Sequence, residues 1–493
     1  MRTAIIGGGI AGLAAAYELQ KARNAGGSGE YALFESRERL GGALATEVVD
    51  GNVLERGPDS FLTEKPAAAE LCRELGLAGD LICSNDSARK TWIVVGKRLV
   101  PLPDGLMFLV PTKLLPTALT PLFSLSTKIR MGLELLHPPR PSLQDESVAA
   151  LVERHFGKEA VDRLADPLLS GIYGGDSTQL SARAVLPRLV EMEAEYGSLS
   201  RGMLAAHKKM KAAKAARAAE ADSPQRARDR LNPMNGPSAG PRGVFTGLRG
   251  GLQQLVDAIA GALDPLSVRL STQVDAVERT AAGWAVTAAG ETRTYDSVIL
   301  ASPAWNAGAL LARVDVQLAQ DLEGIPYSSS ITVNLVYDEA KIGALPEGFG
   351  FLVPASSGRA MLACTFAHRK FLSRTAPGKA VLRAFLGGMR NEALMAEPDN
   401  VLLATVRREL SEILGARLIG PQIEPEFAQV NRWRRAMAQY AVGHKDRIRR
   451  INDRAAALPG LKLVGNAYDG IGIPDCIRLG RQAARDVLAL APR

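Results

Sequence analysis

Six residues near the amino terminus constrain this chain more than any others. Gly7-Gly8-Gly9-Ile10-Ala11-Gly12 directly follows the apolar run Thr3-Ala4-Ile5-Ile6. An Ala-rich stretch of helical periodicity with Leu13, Tyr17 and Leu19 comes next, then the break Gly26-Gly27-Ser28-Gly29. Tyr31-Ala32-Leu33-Phe34 reads as a second strand, with Glu35 at its end. Strand, glycine turn, helix, strand and acid in this order predict a Rossmann-like unit that binds a dinucleotide. Gly7 permits the tight turn, Gly9 lets backbone approach a pyrophosphate, and Gly12 lets the helix pack on the strand. The helix N-terminus offers N–H groups and a positive dipole end to phosphates. Glu35 follows Gly12 by 23 residues, close to the spacing of about 20 for an acid that binds ribose hydroxyls.

The next stretch, Arg39-Leu40-Gly41-Gly42-Ala43-Leu44-Ala45-Thr46, brings a glycine pair back toward the same ligand. Its RxGGxxxT pattern resembles the amine-oxidase and phytoene-desaturase superfamily of flavoproteins, which implies FAD. No second glycine-turn unit follows, so a separate nicotinamide domain is not expected. A length of 493 residues allows roughly three domains. With 46% hydrophobic and 23% charged residues, the chain is neither disordered nor a disulfide scaffold. The four cysteines lie far apart without a CxxC pair, which argues against a metal site and for a reducing compartment. Of the net charge of +8, six charges come from the stretch between His207 and Gly243, with nine Lys/Arg against three acids. No aromatic interleaves those charges, so nucleic acid is not an expected partner. A secretory leader and a spanning helix are not expected either, and the predicted location is cytoplasmic with peripheral membrane contact.

Leu99 to Leu136 is apolar but broken by Pro101, Pro103, Pro111, Pro116 and Pro121, which suits a pocket lining, a core or a membrane-surface segment. Lys113, Lys128 and Arg130 would suit anionic headgroups. Residues 146–206 read as helical with a break at Ser170-Gly171-Ile172-Tyr173-Gly174-Gly175-Asp176, where backbone is expected to approach a ligand. Residues 220–243 predict a polar, mobile, basic loop. The C-terminal Gly465-Asn466-Ala467-Tyr468-Asp469-Gly470-Ile471-Gly472 precedes a long helix, so both chain ends are expected to meet one cofactor.

The stretches ERGPDSFLTEKPAAAEL, DPLLSGIYGGDSTQLS, FTGLRGGLQQL, GFGFLVP and GNAYDGIGIPDCI resemble the FAD-dependent porphyrinogen oxidases of haem biosynthesis, and they span nearly the whole chain. That resemblance implies an α/β fold with α+β elements. A discontinuous, Rossmann-like FAD-binding domain would span residues 1–85, 240–302 and 430–493. A mixed-sheet substrate domain would span residues 86–105 and 303–429. A helical, membrane-docking domain would span residues 106–239. Carried over residue by residue, it implies non-covalent FAD on Gly7, Gly9, Gly12, Glu35, Arg39, Gly41, Gly42, Val274, Gly470, Ile471 and Gly472. Val274 would lie by the adenine, and the last three by the pyrophosphate or flavin ring. It places Gly171, Lys65 and Phe366 at the substrate: a backbone carbonyl that assists proton removal, a cation for a propionate, and a ring stacked on the macrocycle. Cys476 reads as a small buried residue, and the five histidines as structural or surface residues.

Two substrates occur in such a family. An arginine of the animal and plant protoporphyrinogen branch is replaced here by Met107 after Pro103-Asp104-Gly105-Leu106. LTEKPAAAEL, VPTKLLP, LFSLSTK and GIPDCI look more like the coproporphyrinogen branch, so coproporphyrinogen III is the favoured substrate and protoporphyrinogen IX the alternative. Aromatising a porphyrinogen removes six hydrogens, which takes three two-electron cycles, with oxygen as acceptor and hydrogen peroxide released. Docking to the next haem-pathway enzyme is a further expectation. Rival readings are an amine oxidase or carotenoid desaturase, and a flavin-free binding protein on the same fold.

Overall fold

The computed structural model describes residues 1–490 except 28, 104, 108, 112–113, 140–143, 222–242 and 421. The first two predicted strands are Arg2–Ile6 and Glu30–Phe34, joined by the helix Ile10–Asn24. They lie in a five-stranded parallel sheet ordered Val268–Arg269, Glu30–Phe34, Arg2–Ile6, Ser297–Leu300, Leu461–Leu463. The sheet therefore collects strands from the start, middle and end of the chain. The reason is visible in the side chains: Ile5, Leu33 and Ile299 are fully buried on one face, Ala4, Val298 and Leu300 on the other. The C-terminal helix Ile473–Leu488 packs on Ile10–Asn24 so closely that a Cβ on Gly480 would stand 2.1 Å from the Ala11 carbonyl oxygen.

A second sheet has seven strands, ordered Phe427–Ala438, Tyr327–Asp338, Lys379–Gly387, Met361–Phe366, Gly350–Leu352, Thr91–Val95, Arg98–Pro101. All its pairs are antiparallel except Gly350–Leu352 with Thr91–Val95. Phe427–Ala438 is one continuous strand, so it runs across the boundary expected at residue 430. The two faces of this sheet differ. Ile331, Val333, Leu335, Leu382 and Ala384 pack with Leu402, Val406 and Leu410 of the helix Asp399–Leu414. The alternate residues Thr332, Asn334 and Arg383 turn the other way and bond the backbone of residues 55–57.

Helices between Leu114 and Ala221 enclose a third core, built on Leu151, Val152, Phe156, Leu164 and Leu199. The predicted break at Ser170–Asp176 begins later than expected: the helix Asp166–Tyr173 runs through Gly171 and stops at Gly174, whose φ of 55° is a left-handed cap. Most of the predicted basic loop, residues 222–242, lies outside the described residues, as do Asp104 and Lys113. Among the described residues, no helix is long and apolar enough to cross a membrane.

Candidate functional site

The carboxyl ends of the parallel strands carry the predicted glycine turn. Gly7 takes φ 112° and donates its N–H to the Phe34 carbonyl at 2.8 Å. A Cβ on Gly12 would stand 2.0 Å from the Gly7 oxygen, so only glycine lets this helix start so close to the strand. A Cβ on Gly9 would meet nothing within 4 Å, which leaves open space at the N-terminus of Ile10–Asn24. Gly41 donates its N–H to the Gly8 carbonyl at 2.8 Å, and a Cβ on Gly42 would stand 3.2 Å from Gly9 Cα. The two glycine segments thus form one cradle. Arg39 holds it from outside: its guanidinium donates to the carbonyls of Leu40, Gly42 and Leu44.

Glu35 is buried beside this cradle, and its Oε2 accepts from the Gly8 N–H at 2.8 Å. Its carbonyl accepts from Thr272 N–H, which brings Val274, buried at the start of the strand Val274–Thr280, to the same side. The Ser302 hydroxyl, next to the Gly7 turn, is buried with no hydrogen-bond partner. An open helix N-terminus, a glycine cradle, a buried carboxylate and an orphan hydroxyl fit a dinucleotide.

The C-terminal loop closes in from the last strand. Gly470 has φ 95° and donates its N–H to the Tyr440 hydroxyl at 2.9 Å. A Cβ there would stand 2.3 Å from Asp475 Cγ, so the Asp475 side chain fills the hollow under the turn. Ile471 follows, partly buried against the core of the parallel sheet. Gly472 caps the helix Ile473–Leu488 and donates its N–H to Asp475 Oδ2 at 3.2 Å. The same oxygen accepts from Lys65 Nζ at 2.6 Å. Lys65 is therefore brought to the C-terminal loop, where Tyr173 is also near Asp475; burial, with that negative charge, pushes the Tyr173 hydroxyl up to about 12.

Gly171 lies in the last turn of Asp166–Tyr173, exposed, with Leu352 Cδ2 3.1 Å from where its Cβ would be. Phe366 requires a correction. It ends the strand Met361–Phe366 opposite Leu382, on the face that packs against Asp399–Leu414, and is 0% exposed. Strand alternation puts Thr365 and Arg383, its neighbours in register, on the opposite face. The ring has no surface for a ligand and is a core aromatic, 6.2 Å from Phe351 edge-on.

Sequence reasoning missed the charged groups that fix Glu55–Phe61 against the second sheet. Asp59 bonds Lys370 at 2.9 Å, Glu55 pairs with Arg374 at 3.3 Å, and Arg383 donates to the Gly57 carbonyl. Burial favours the neutral form of Asp59, but the charges of Lys370 and Arg383 outweigh it and hold the carboxyl well below its usual range. Only ERGPDSF itself signalled this region; its partners lie more than 300 residues away. In the helical part, His155 is fully buried between Glu134 (3.0 Å) and Glu193 (3.3 Å), with His137 beside it. Burial alone would lower the His155 pKa, but hydrogen bonds to both carboxylates raise it.

Residues 10–488 match the model of the flavin containing amine oxidoreductases. The coproporphyrinogen III oxidase of Bacillus subtilis is 34% identical over 98% of this chain and 97% of its own length. The chloroplastic protoporphyrinogen oxidase of Nicotiana tabacum is 28% identical over 99% of this chain and 86% of its own length. A crystal structure of a protein from Exiguobacterium sp. 255-15 superposes with a TM-score of 0.82 at 31% identity, covering 99% of both chains.

Proposed function

Because this chain belongs to the flavin containing amine oxidoreductase family, and within it resembles the porphyrinogen oxidases, we propose that it is an FAD-dependent coproporphyrinogen III oxidase of haem biosynthesis. The observation that carries this reading is the 34% identity to the Bacillus subtilis enzyme, which extends over 98% of the chain and so includes both sheets and the helical part. A bound FAD supplies a two-electron acceptor, used three times per porphyrin, with oxygen as the final acceptor and hydrogen peroxide as the product.

The protein's own residues bind, orient and shield. Glu35 meets the ribose hydroxyls. The N-terminus of Ile10–Asn24 meets the pyrophosphate, and the Gly41–Gly42 and Gly470–Gly472 backbones lie along the cofactor. Arg39 acts by bracing the Gly41–Gly42 turn, and the start of Val274–Thr280 runs by the adenine. Lys65 offers a cation to a propionate. Gly171 lets the macrocycle lie flat against the helix end. The last carbonyls of a helix lack intrahelical partners and sit at its negative dipole end. Those of Ser170 and Tyr173 are occupied by Gly174 N–H and Gln439 Nε2, and the Gly171 carbonyl would stabilise the positive charge that hydride loss from a bridging carbon leaves on the macrocycle, until a ring N–H proton passes to solvent.

Protoporphyrinogen IX is the second reading, favoured by the tobacco relative. The test is porphyrin fluorescence from each porphyrinogen offered in parallel, in air, against enzyme-free controls. Faster turnover of coproporphyrinogen III is expected. Turnover of protoporphyrinogen IX alone assigns the other branch, and no rise above background with either refutes porphyrinogen oxidation.

The helical part also reads as a peripheral membrane face. Leu125, Ile129 and Leu133 are exposed at four-residue spacing on the helix Leu125–Leu133, while Thr127 and Met131 are buried on its other side. Leu115, Leu119 and Leu136 are further exposed leucines of this part. Lys208, Lys209 and Lys211 are exposed on the helix Leu199–Ala221 and supply charge for anionic headgroups. Arg130, in contrast, bonds the carbonyls of Glu153 and Arg154.

A further inference from the structure

Three parts of the molecule meet at Tyr440. The residue follows the edge strand Phe427–Ala438 of the second sheet by two positions. Its carbonyl accepts from Ser181 N–H at 2.7 Å, and Val442 N–H donates to the Gln179 carbonyl at 3.0 Å, so its backbone is bonded to the helical part. The preceding Gln439 donates from Nε2 to the Tyr173 carbonyl at 2.8 Å, at the end of the Gly171 helix. The Tyr440 side chain points the other way. Its hydroxyl donates to the Asn466 carbonyl at 3.0 Å and accepts from Gly470 N–H at 2.9 Å.

Both partners lie in the loop between the last strand and the last helix, four residues apart. One hydroxyl thus sets the distance between the two ends of that turn and uses its single proton to do so. Burial raises the Tyr440 pKa, so the hydroxyl keeps that proton at any working pH. The ring is held by stacking on His444, with centroids 4.0 Å apart and planes 13° from parallel. Burial pushes the His444 ring down to about 4, so the stack stays neutral under ordinary conditions. Asp475 supports the turn from beneath at Gly470, and Tyr440 ties it from the side.

We propose that Tyr440 is a positioning residue for the flavin: through Asn466 and Gly470 it holds the C-terminal loop in its cofactor-binding shape and couples that loop to the helix carrying Gly171. The inference rests on the reading of this loop as a flavin contact. Tyr440→Phe keeps the ring and its stack and removes only the hydroxyl. The expected result is an FAD dissociation constant raised about tenfold, together with a changed visible circular dichroism of the bound flavin. Thermal unfolding of the apoprotein is expected to stay at the wild-type temperature. Wild-type FAD affinity and spectrum in the variant overturn the proposal. So does a fall in apoprotein stability with flavin affinity and spectrum unchanged, the signature of a merely structural role. Should the variant not accumulate, exchange of the Gly470 amide in wild-type holoenzyme decides: protection is expected, and exchange at the rate of an open loop overturns it. Failure of the wild-type chain to take up FAD is a separate outcome, which refutes the flavin reading of the loop and the proposal with it.

Discussion

Lys65 Nζ lies 2.6 Å from Asp475 Oδ2, and that same oxygen caps the N–H of Gly472. A residue read as a substrate cation is therefore held by the residue that shapes the Gly470–Gly472 loop, although the two are 410 positions apart. Lys65→Met is expected to raise the KM for coproporphyrinogen III about tenfold, the size of one lost charge-assisted contact, with FAD affinity unchanged. Asp475→Asn keeps an acceptor for Gly472 but releases the ammonium. If Asp475 acts through Lys65, the two effects overlap, and the double variant has the KM of the worse single one. A KM cycle in which the losses add refutes the coupling.

Much of the glycine cradle was legible in the chain because its determinants are local. Gly7 to Glu35 needs only a turn, a helix and two strands close in sequence, and each residue type is dictated by a backbone approach. The surroundings of the proposed substrate residues were not. The face of the second sheet on which Phe366 lies depends on strand alternation and on which side the helix Asp399–Leu414 covers. An apolar residue at a strand end reads the same for a core and for a stacking platform. Gly171 looked like part of a helix break because it stands in a cluster with Gly174 and Gly175; the helix continues to Tyr173, and it is Gly174 that ends it. The partners of Glu55 and Asp59 come from Lys370, Arg374 and Arg383, distances in sequence over which no pattern could be read.

Gly171 and Phe366 separate under substitution. A Cβ on Gly171 meets only the flexible end of Leu352 at 3.1 Å, and alanine favours a helix by about 1 kcal/mol over glycine. Gly171→Ala should fold with equal or higher thermal stability while kcat/KM for the porphyrinogen falls at least about fivefold, since one methyl against a bound ring already costs about 1 kcal/mol or more. Phe366→Ala should do the reverse. It empties a core site at a cost of about 3–5 kcal/mol, read as a lower unfolding midpoint in urea, while turnover of the folded fraction at low temperature stays at wild type. Wild-type turnover in Gly171→Ala would remove that residue from the site, and a raised KM in Phe366→Ala at full folding would return the ring to it.

The His155 cluster makes the helical part sensitive to pH. The His155 pKa is raised on folding, because the hydrogen bonds to Glu134 and Glu193 outweigh its burial. Its stabilisation is fully present below the unfolded value of about 6.5 and is lost as pH rises through the higher folded value. Glu193 works in the opposite direction. Burial is outweighed by His155 and Arg154, its pKa falls to about 2, and its contribution is lost as pH drops from about 4.3 toward that value. Thermal stability should thus peak between roughly pH 4.5 and 6.5 in this respect. His155→Gln should lower the unfolding temperature markedly at pH 6 and less at pH 9. An equal deficit at both pH values would mean that His155 is neutral in the folded protein.

The apolar face of Leu125–Leu133 gives the last expectation. Leu125 is 74% exposed and Ile129 56%, on a helix whose opposite side is buried, so charges placed there should leave the core intact. Two buried side chains of this size contribute about 3–6 kcal/mol to membrane attachment if they enter the acyl boundary. Wild-type protein should sediment with vesicles of mixed anionic and zwitterionic lipid, and Leu125→Glu with Ile129→Glu should leave it in the supernatant at unchanged unfolding temperature. The exposed Lys208, Lys209 and Lys211 add a salt-dependent share, so raising ionic strength should weaken wild-type binding without abolishing it. Binding that vanishes entirely with salt would assign attachment to charge alone, and equal sedimentation of the double variant would take the leucine face out of it.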